Sequence, residues 1–191
     1  MFSRWCIMRS GFRQETGSWL NGCVDIYGIM SRQYAGNGNQ VILENWDASP
    51  EHTADFIARL GPDDEKPTVG IFGYSWGCGY GAMKLARNLR QRGIAVRYMV
   101  LCDPVYYSWA KWRALIPIGI FGRLKIKVPS NVQEVWWLRQ HVSRPAGHDL
   151  VAEGPYTEIH TPVVLEVPHV DMDNTMEFRT MCMRVAERIF Q

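Results

Sequence analysis

Ser75 lies in a Gly-x-Ser-x-Gly segment, residues 73–77, directly after the apolar run 69–72. This arrangement is typical of a nucleophile elbow, a tight turn from a buried strand into a helix that presents the serine hydroxyl at the carboxyl edge of a sheet. The two glycines allow backbone segments to approach closely on either side of the serine. The segment therefore predicts a serine nucleophile. The alternative is a strand–helix turn whose serine only caps the helix.

A serine hydroxyl needs a base to take its proton, and the base needs a third group to hold its ring. His169 follows the apolar run 163–167 and precedes the last helical pattern. In an open parallel sheet this position, after a later strand than that of the serine, suits the base. We therefore predict that His169 is the base. The other histidines occupy a helical stretch before the serine (His52), a loop rich in Gly and Pro (His141 and His148) and the beginning of a predicted strand (His160).

Two carboxylates compete for the third position. Asp103 ends the run 98–102, one strand beyond the serine, and Pro104 then turns the chain. Asp149 lies in the loop after the following strand, which is the rival position for the acid. Asp171 and Asp173 are too close to His169 in sequence for a side-on contact, although Asp173 could cap the final helix. Asp103 is the favoured acid.

Acyl transfer also needs two donors for the oxyanion that develops on the substrate carbonyl. The backbone N–H of Trp76, directly after the serine, is the first candidate. The second is a backbone N–H from the loop after the first strand, either Gly11 or Phe12, because Gly11 permits close approach of the backbone to a substrate.

The composition favours an ordinary globular protein. The 191 residues are 47% hydrophobic and 21% charged, with a formal net charge of +2, which argues against a nucleic-acid partner held through its phosphates. The five cysteines are odd in number and widely spaced, so we predict neither a disulfide framework nor a metal site, and no cofactor is implied. Buried free thiols fit a reducing compartment, and the longest candidate membrane stretch, 115–121, is far below the roughly 20 residues that span a bilayer. We expect a cytoplasmic protein.

Strands and helices alternate along the chain. This order predicts an α/β protein, a three-layer α/β/α sandwich with a mainly parallel sheet of about six strands. Strands are predicted near 5–8, 40–45, 69–72, 94–102, 132–138 and 161–167. Helices are predicted over 21–34, 50–60, the stretch after the serine, and 175–190, where Asn174 and Glu177 form a capping box.

Taken together, Ser75, Asp103 and His169 resemble the catalytic residues of the α/β-hydrolase superfamily. Residues 101–105, Leu-Cys-Asp-Pro-Val, are similar to the Leu-Asp-Pro acid motif of its lipase-like branch, and residues 116–117, 128–132 and 169–173 resemble compact members with little or no cap. The chain departs from the family in having Cys78 where Gly or Ala is common, and it is short for the superfamily. The resemblance covers nearly the whole chain and implies a Ser-His-Asp hydrolase.

The sequence thus predicts a single domain, residues 1–191, that hydrolyses a small-molecule carboxylic ester or thioester through an acyl-enzyme. An acyltransferase with the same three residues, or a binding module in which they are silent, is the alternative. Residues 106–128 are rich in aromatic side chains and form the candidate lid or substrate wall, which could also contact lipid. They could equally be core packing.

Overall fold

The computed structural model describes residues 1–12, 14, 21–61, 66–106 and 125–191. The helices are α1 (Gly22–Tyr34), α2 (Pro50–Leu60), α3 (Met83–Gln91) and α4 (Met176–Phe190). A π-helical segment at Gly77–Ala82 directly precedes α3, and a 3₁₀ segment at His169–Asn174 precedes α4. The strands are β1 (Arg4–Arg9), β2 (Asn39–Glu44), β3 (Thr68–Tyr74), β4 (Val96–Cys102), β5 (Lys125–Val128), β6 (Val132–Gln140), β7 (Asp149–Ala152), β8 (Glu158–Ile159) and β9 (Val163–Leu165).

The main sheet has the strand order β2-β1-β3-β4-β6-β8, and β9 also pairs with β6. All of its strand pairs are parallel. Because β8 pairs with Glu134 and Val135 while β9 pairs with residues 138–140, the two short strands follow each other along one edge of β6. Strands β5 and β7 form a separate parallel pair. The α/β class and the mainly parallel sheet predicted from the sequence are confirmed.

Helices cover both faces of this sheet, as alternation along each strand requires. Within β1, Cys6 and Met8 belong to the core that α1 and α4 cover, whereas Trp5 and Ile7 belong to the core that α2 and α3 cover. The two cores consist almost wholly of fully buried apolar side chains, whose removal from water is the main term that stabilises the fold.

Helix starts follow local side-chain chemistry. Asn21 caps α1 by accepting from the N–H of Val24, and Ser49 caps α2 with Pro50 as its first residue. The cap of α4 was predicted at Asn174, and this is wrong by one position. Thr175 accepts from the N–H of Phe178 instead, because the 3₁₀ segment runs through residue 174.

Three short strands differ from the sequence prediction. Strand β7 lies in what was predicted as a loop, β5 lies in the candidate lid segment, and β8 lies just before the strand predicted at 161–167, of which β9 forms only residues 163–165. His160 therefore lies between two strands rather than at the beginning of one. Most of the candidate lid, residues 107–124, is outside the described residues. No helix within the described ranges has the length and apolar character needed to cross a bilayer.

Candidate active site

Ser75 directly follows β3 and has a backbone φ of +55°, in the left-handed region. This conformation costs a residue with a Cβ about 1–3 kcal/mol, so the surroundings must impose it. The N–H of Ser75 donates to the carbonyl of Cys102 at 2.9 Å, and its carbonyl accepts from the N–H groups of Cys78, Gly79 and Val105, each at 3.1 Å. These four hydrogen bonds fix the turn and tie it to the loop after β4.

Gly77 shows why this turn needs glycine. A Cβ built there would lie 2.3 Å from the carbonyl oxygen of Ser10 and 2.5 Å from that of Arg9. Both contacts are with backbone, which cannot move aside as a flexible side chain could. The turn at Ser75 therefore packs directly on the end of β1, and position 77 has no room for a side chain.

Asp103 ends β4 in a similar backbone conformation, with φ of +43°, and is fully buried. Its carboxylate accepts from four N–H groups. Oδ1 accepts from the backbone of Gln140 (3.2 Å) and of Gly147 (2.9 Å). Oδ2 accepts from Nε2 of Gln140 (3.0 Å) and lies 2.6 Å from Nδ1 of His169. Such a set of donors compensates an ionised carboxylate for the loss of water.

His169 lies between Asp103 and Ser75. Its Nε2 is 2.9 Å from Oγ of Ser75. Its backbone is held on both sides, since its N–H donates to Oγ of Ser143 (2.7 Å) and its carbonyl accepts from the hydroxyl of Tyr74 (2.6 Å). The Tyr74 ring also packs against the imidazole, with centroids 5.1 Å apart. Burial raises the pKa of Tyr74, so this phenol remains a neutral donor.

These contacts determine what the three side chains can do together. An ionised Asp103 can only accept, so it selects the tautomer of His169 that carries its proton on Nδ1. The lone pair of Nε2 then faces the hydroxyl of Ser75 and can take its proton. The arrangement is suited to generating an oxygen nucleophile at a largely buried position.

The rival acids lie elsewhere. Asp149 forms an ion pair with Arg139 at 2.6 Å, at the beginning of β7. Asp173 accepts from the N–H of Gly22 at 2.8 Å, in the first turn of α1, and Thr175 rather than Asp173 caps the final helix. Burial raises the pKa of Asp173, although hydrogen bonds from Gln14 and from backbone N–H groups oppose this shift.

The other histidines are also accounted for. His148 Nε2 lies 3.2 Å from the carbonyl oxygen of Tyr106, and His160 Nε2 lies 2.9 Å from Glu134. His52 is an exposed residue in α2, and His141 is exposed after β6. Of the sequence-predicted residues, the structure thus brings together Ser75, His169 and Asp103.

The loop after β1 lies next to this site. The N–H of Gly11 donates to Oε1 of Gln14 at 2.9 Å, and Nε2 of Gln14 donates to Asp173 at 2.8 Å. A Cβ at Gly11 would lie 2.6 Å from the Tyr74 ring. The N–H of Gly11, one of the two amides predicted as the second oxyanion donor, thus faces Gln14 in this structure.

Other nucleophiles and ligands can be assessed in the same way. Cys78, three residues after Ser75, is fully buried, its Sγ lies 3.6 Å from the carbonyl oxygen of Cys102, and burial raises its pKa well above the usual value. A thiol held protonated is a poor nucleophile and a poor metal ligand. Across the described ranges, no group of three or more His, Cys, Asp or Glu side chains could hold a metal ion.

Sequence reasoning missed Gln140 and Ser143, which hold the side chain of Asp103 and the backbone of His169 in place. Gln140 is fully buried at the end of β6, where its side chain also donates to the carbonyls of Ser143 and Pro145. A polar residue at the end of a buried apolar strand was the available signal. The partners of Gln140 become visible only in the folded chain.

Comparisons with known proteins agree with this architecture. No family model and no curated protein sequence matches the chain. Among solved structures, it is similar to RedJ, a thioesterase from the prodiginine biosynthetic pathway in Streptomyces coelicolor, at 12% identity over 98% of this chain and 90% of that one, with a TM-score of 0.50. It is equally similar to a hyperthermophilic esterase from the archaeon Pyrobaculum calidifontis, at 16% identity over 98% of this chain and 74% of that one, with a TM-score of 0.50. The chain therefore has the α/β-hydrolase fold.

Proposed function

We propose that this protein is a serine hydrolase that cleaves a carboxylic ester or thioester through an acyl-enzyme. The observation that carries the proposal is the continuous hydrogen-bonded array from Asp103 Oδ2 to His169 Nδ1 (2.6 Å) and from His169 Nε2 to Ser75 Oγ (2.9 Å). The strained backbone of Ser75 supports it, because such strain concentrates at functional sites. The shared fold with a thioesterase and an esterase motivates the choice of substrate chemistry.

In this mechanism, Oγ of Ser75 attacks the substrate carbonyl carbon while Nε2 of His169 takes the hydroxyl proton. The leaving alcohol or thiol then accepts that proton, and the acyl group stays on Ser75. Water enters, loses a proton to Nε2 and attacks the acyl carbon, and Oγ departs with the proton. Asp103 stabilises the imidazolium that forms in both halves of the reaction.

The oxyanion is assigned to the backbone N–H of Trp76 and to one from the loop after β1, either that of Gly11 or that of Phe12. One such donor contributes about 10²- to 10³-fold to the rate in related chemistry.

We also propose that residues 1–191 act as one catalytic domain. We retain the prediction of a cytoplasmic location, because all five cysteines are free and buried.

A fluorophosphonate probe tests the nucleophile. It should phosphonylate the wild-type protein once, at Ser75, as measured by intact mass and peptide mapping. Ser75→Ala should not react, whereas Ser31→Ala, a serine substitution on α1, should react like the wild type. A wild-type protein that is folded by circular dichroism and remains unlabelled would contradict the proposal.

The same samples distinguish hydrolysis from acyl transfer. A p-nitrophenyl ester should give a burst of p-nitrophenol equal to the enzyme concentration if an acyl-enzyme accumulates. Added alcohols or amines should not divert the acyl group from water. Diversion at millimolar acceptor would instead favour the transferase alternative.

A further inference from the structure

Four aromatic side chains form a continuous surface beside Ser75. We call this surface the aromatic wall and define it as Phe12, Trp46, Trp76 and Tyr80. The ring centroids of Phe12 and Trp76 are 4.8 Å apart, those of Trp46 and Trp76 4.9 Å, and those of Phe12 and Trp46 5.4 Å. Tyr80 extends the wall, with its centroid 6.4 Å from that of Trp46.

The wall lies at the reactive edge of the sheet. Phe12 follows β1, Trp46 follows β2 and Trp76 follows β3, directly after Ser75. The carboxyl ends of parallel neighbouring strands meet at one edge, so three separate loops deliver these rings to the place where the hydroxyl emerges.

These rings are not part of the folded cores. None of the four belongs to the two apolar clusters that the helices cover. Phe12 is 48% exposed, and the other three rings are half-buried. A contiguous group of partly exposed aromatic side chains beside a reactive group is typical of a ligand site rather than of a stabilising core.

The strand order assigns a side to each part of the substrate. His169 arrives from β9, on the β6 side of Ser75, and must protonate the leaving atom, so the leaving group faces that side. The wall lies on the opposite side, toward β1 and β2. The carbonyl oxygen and the acyl group both lie away from the leaving group, and of these two only the acyl group has a side chain that can extend onto the wall.

We propose that the aromatic wall binds the acyl group of the substrate and that this group carries an aromatic ring. The inference rests on the proposed function and names its substrate class, arylacyl esters or thioesters. Aromatic pairs gain from ring geometry beyond the area they bury. A flat ring should therefore bind better than a saturated ring of similar size.

Matched acyl groups test this. We would compare p-nitrophenyl phenylacetate with p-nitrophenyl cyclohexylacetate, normalising each rate to its uncatalysed hydrolysis, and use p-nitrophenyl acetate as the small reference. Wild-type kcat/KM should favour the phenyl compound by roughly 2- to 13-fold. Trp46→Leu should reduce that ratio toward one, while its kcat/KM for acetate should change by less than about 3-fold. Phe12→Leu should also reduce the phenyl-to-cyclohexyl ratio toward one.

Phe56→Leu is the matched control. Phe56 is 42% exposed and packs on Trp5 at a centroid distance of 5.7 Å, so it resembles Phe12 in size and exposure but lies on α2. Its substitution should leave the phenyl-to-cyclohexyl ratio unchanged. Benzyl acetate and cyclohexylmethyl acetate carry the rings on the leaving group. The ratio of kcat/KM between these two esters should be the same in the wall variants as in wild type.

The inference is overturned if wild type shows no phenyl preference, if the wall variants slow all esters equally, or if the change appears in the leaving-group pair. Fluorophosphonate labelling of each protein separates these outcomes from failure of the proposed function. An enzyme that is labelled but does not discriminate between acyl groups contradicts the inference about the aromatic wall and leaves the proposed function intact. A wild type that is neither labelled nor active refutes both.

Discussion

Among the described residues, His169 and His160 each lie beside a carboxylate, and the surroundings of the two imidazoles differ. Nδ1 of His169 lies 2.6 Å from Asp103, and Nε2 of His160 lies 2.9 Å from Glu134. The side chains of the first pair are 8% and 0% exposed, whereas those of the second are 26% and 18% exposed. Both pairs have hydrogen-bonding geometry, so the distance between the partners alone does not identify a reactive histidine.

The second ring nitrogen makes the difference. In His169 it faces the hydroxyl of Ser75, whereas Nδ1 of His160 lies 3.6 Å from another carboxylate, Glu158. The ring of His160 also stacks on Trp136, with centroids 3.8 Å apart. One imidazole lies between a carboxylate and a serine hydroxyl, and the other links neighbouring strands at the edge of the sheet. A histidine needs both a carboxylate and a group to deprotonate before its geometry suggests catalysis.

The largest expected difference between the two pairs is in the loss of kcat when each imidazole is removed. His169→Ala should lower kcat by about 10⁴- to 10⁶-fold, because the hydroxyl of Ser75 then has no base. His160→Ala should retain activity within about 3-fold. Steady-state hydrolysis of p-nitrophenyl acetate measures both. Comparable losses in the two variants would remove the distinction drawn between them.

Neutralising each carboxylate should give the next largest difference. Asp103→Asn keeps the size of the side chain but cannot hold His169 in the tautomer that leaves Nε2 free, so kcat should fall by about 10⁴-fold at neutral pH. Glu134→Gln should leave kcat nearly unchanged. If Asp103→Asn is close to wild type while Asp149→Asn is inactive, the assignment of the acid is wrong.

The smallest expected effect is on stability. Partial burial alone would raise the pKa of Glu134, but hydrogen bonds from His160, Arg188 and Trp136 outweigh it, so the pKa lies below its ordinary value. Ionised Glu134 therefore contributes stability above its unfolded pKa, and this contribution is lost as the pH falls through the lower, folded pKa.

The free energy of unfolding of Glu134→Gln should accordingly be about 1 kcal/mol below that of wild type at pH 7, since the partners are partly exposed. The difference should shrink as the pH falls below about 4. Urea unfolding across a pH series measures it. A difference that stays constant with pH would show that the charge of Glu134 does not contribute.

Much of the fold was predictable because its long elements have clear periodicity. Strands β1 to β4 and helices α1, α2 and α4 are buried on a face or throughout, and burial leaves an apolar pattern in the sequence. Strands β5, β7 and β8 are two to four residues long. Such segments carry too few apolar positions to establish a period.

The positions of the candidate site residues were predictable for a topological reason. In a parallel sheet, a residue that follows a strand must lie at the carboxyl edge, so Ser75 and Asp103 could be placed without coordinates. The contacts that support these side chains could not be predicted from the sequence. Gln140 reaches Asp103 across 37 positions of sequence, and Trp46 meets Trp76 only because β2, β1 and β3 are neighbours.

Ser75 and Asp103 share a backbone feature whose consequence reaches beyond the reaction. Both hold a left-handed φ, +55° and +43°, that glycine would adopt without penalty. Glycine at position 75 would relieve this strain, whereas glycine at position 103 would also leave the buried N–H groups of Gln140, Gly147 and His169 without their acceptor. The hydroxyl is thus held at a cost in stability, whereas the carboxylate compensates for its own backbone strain by tying the ends of β4 and β6 together.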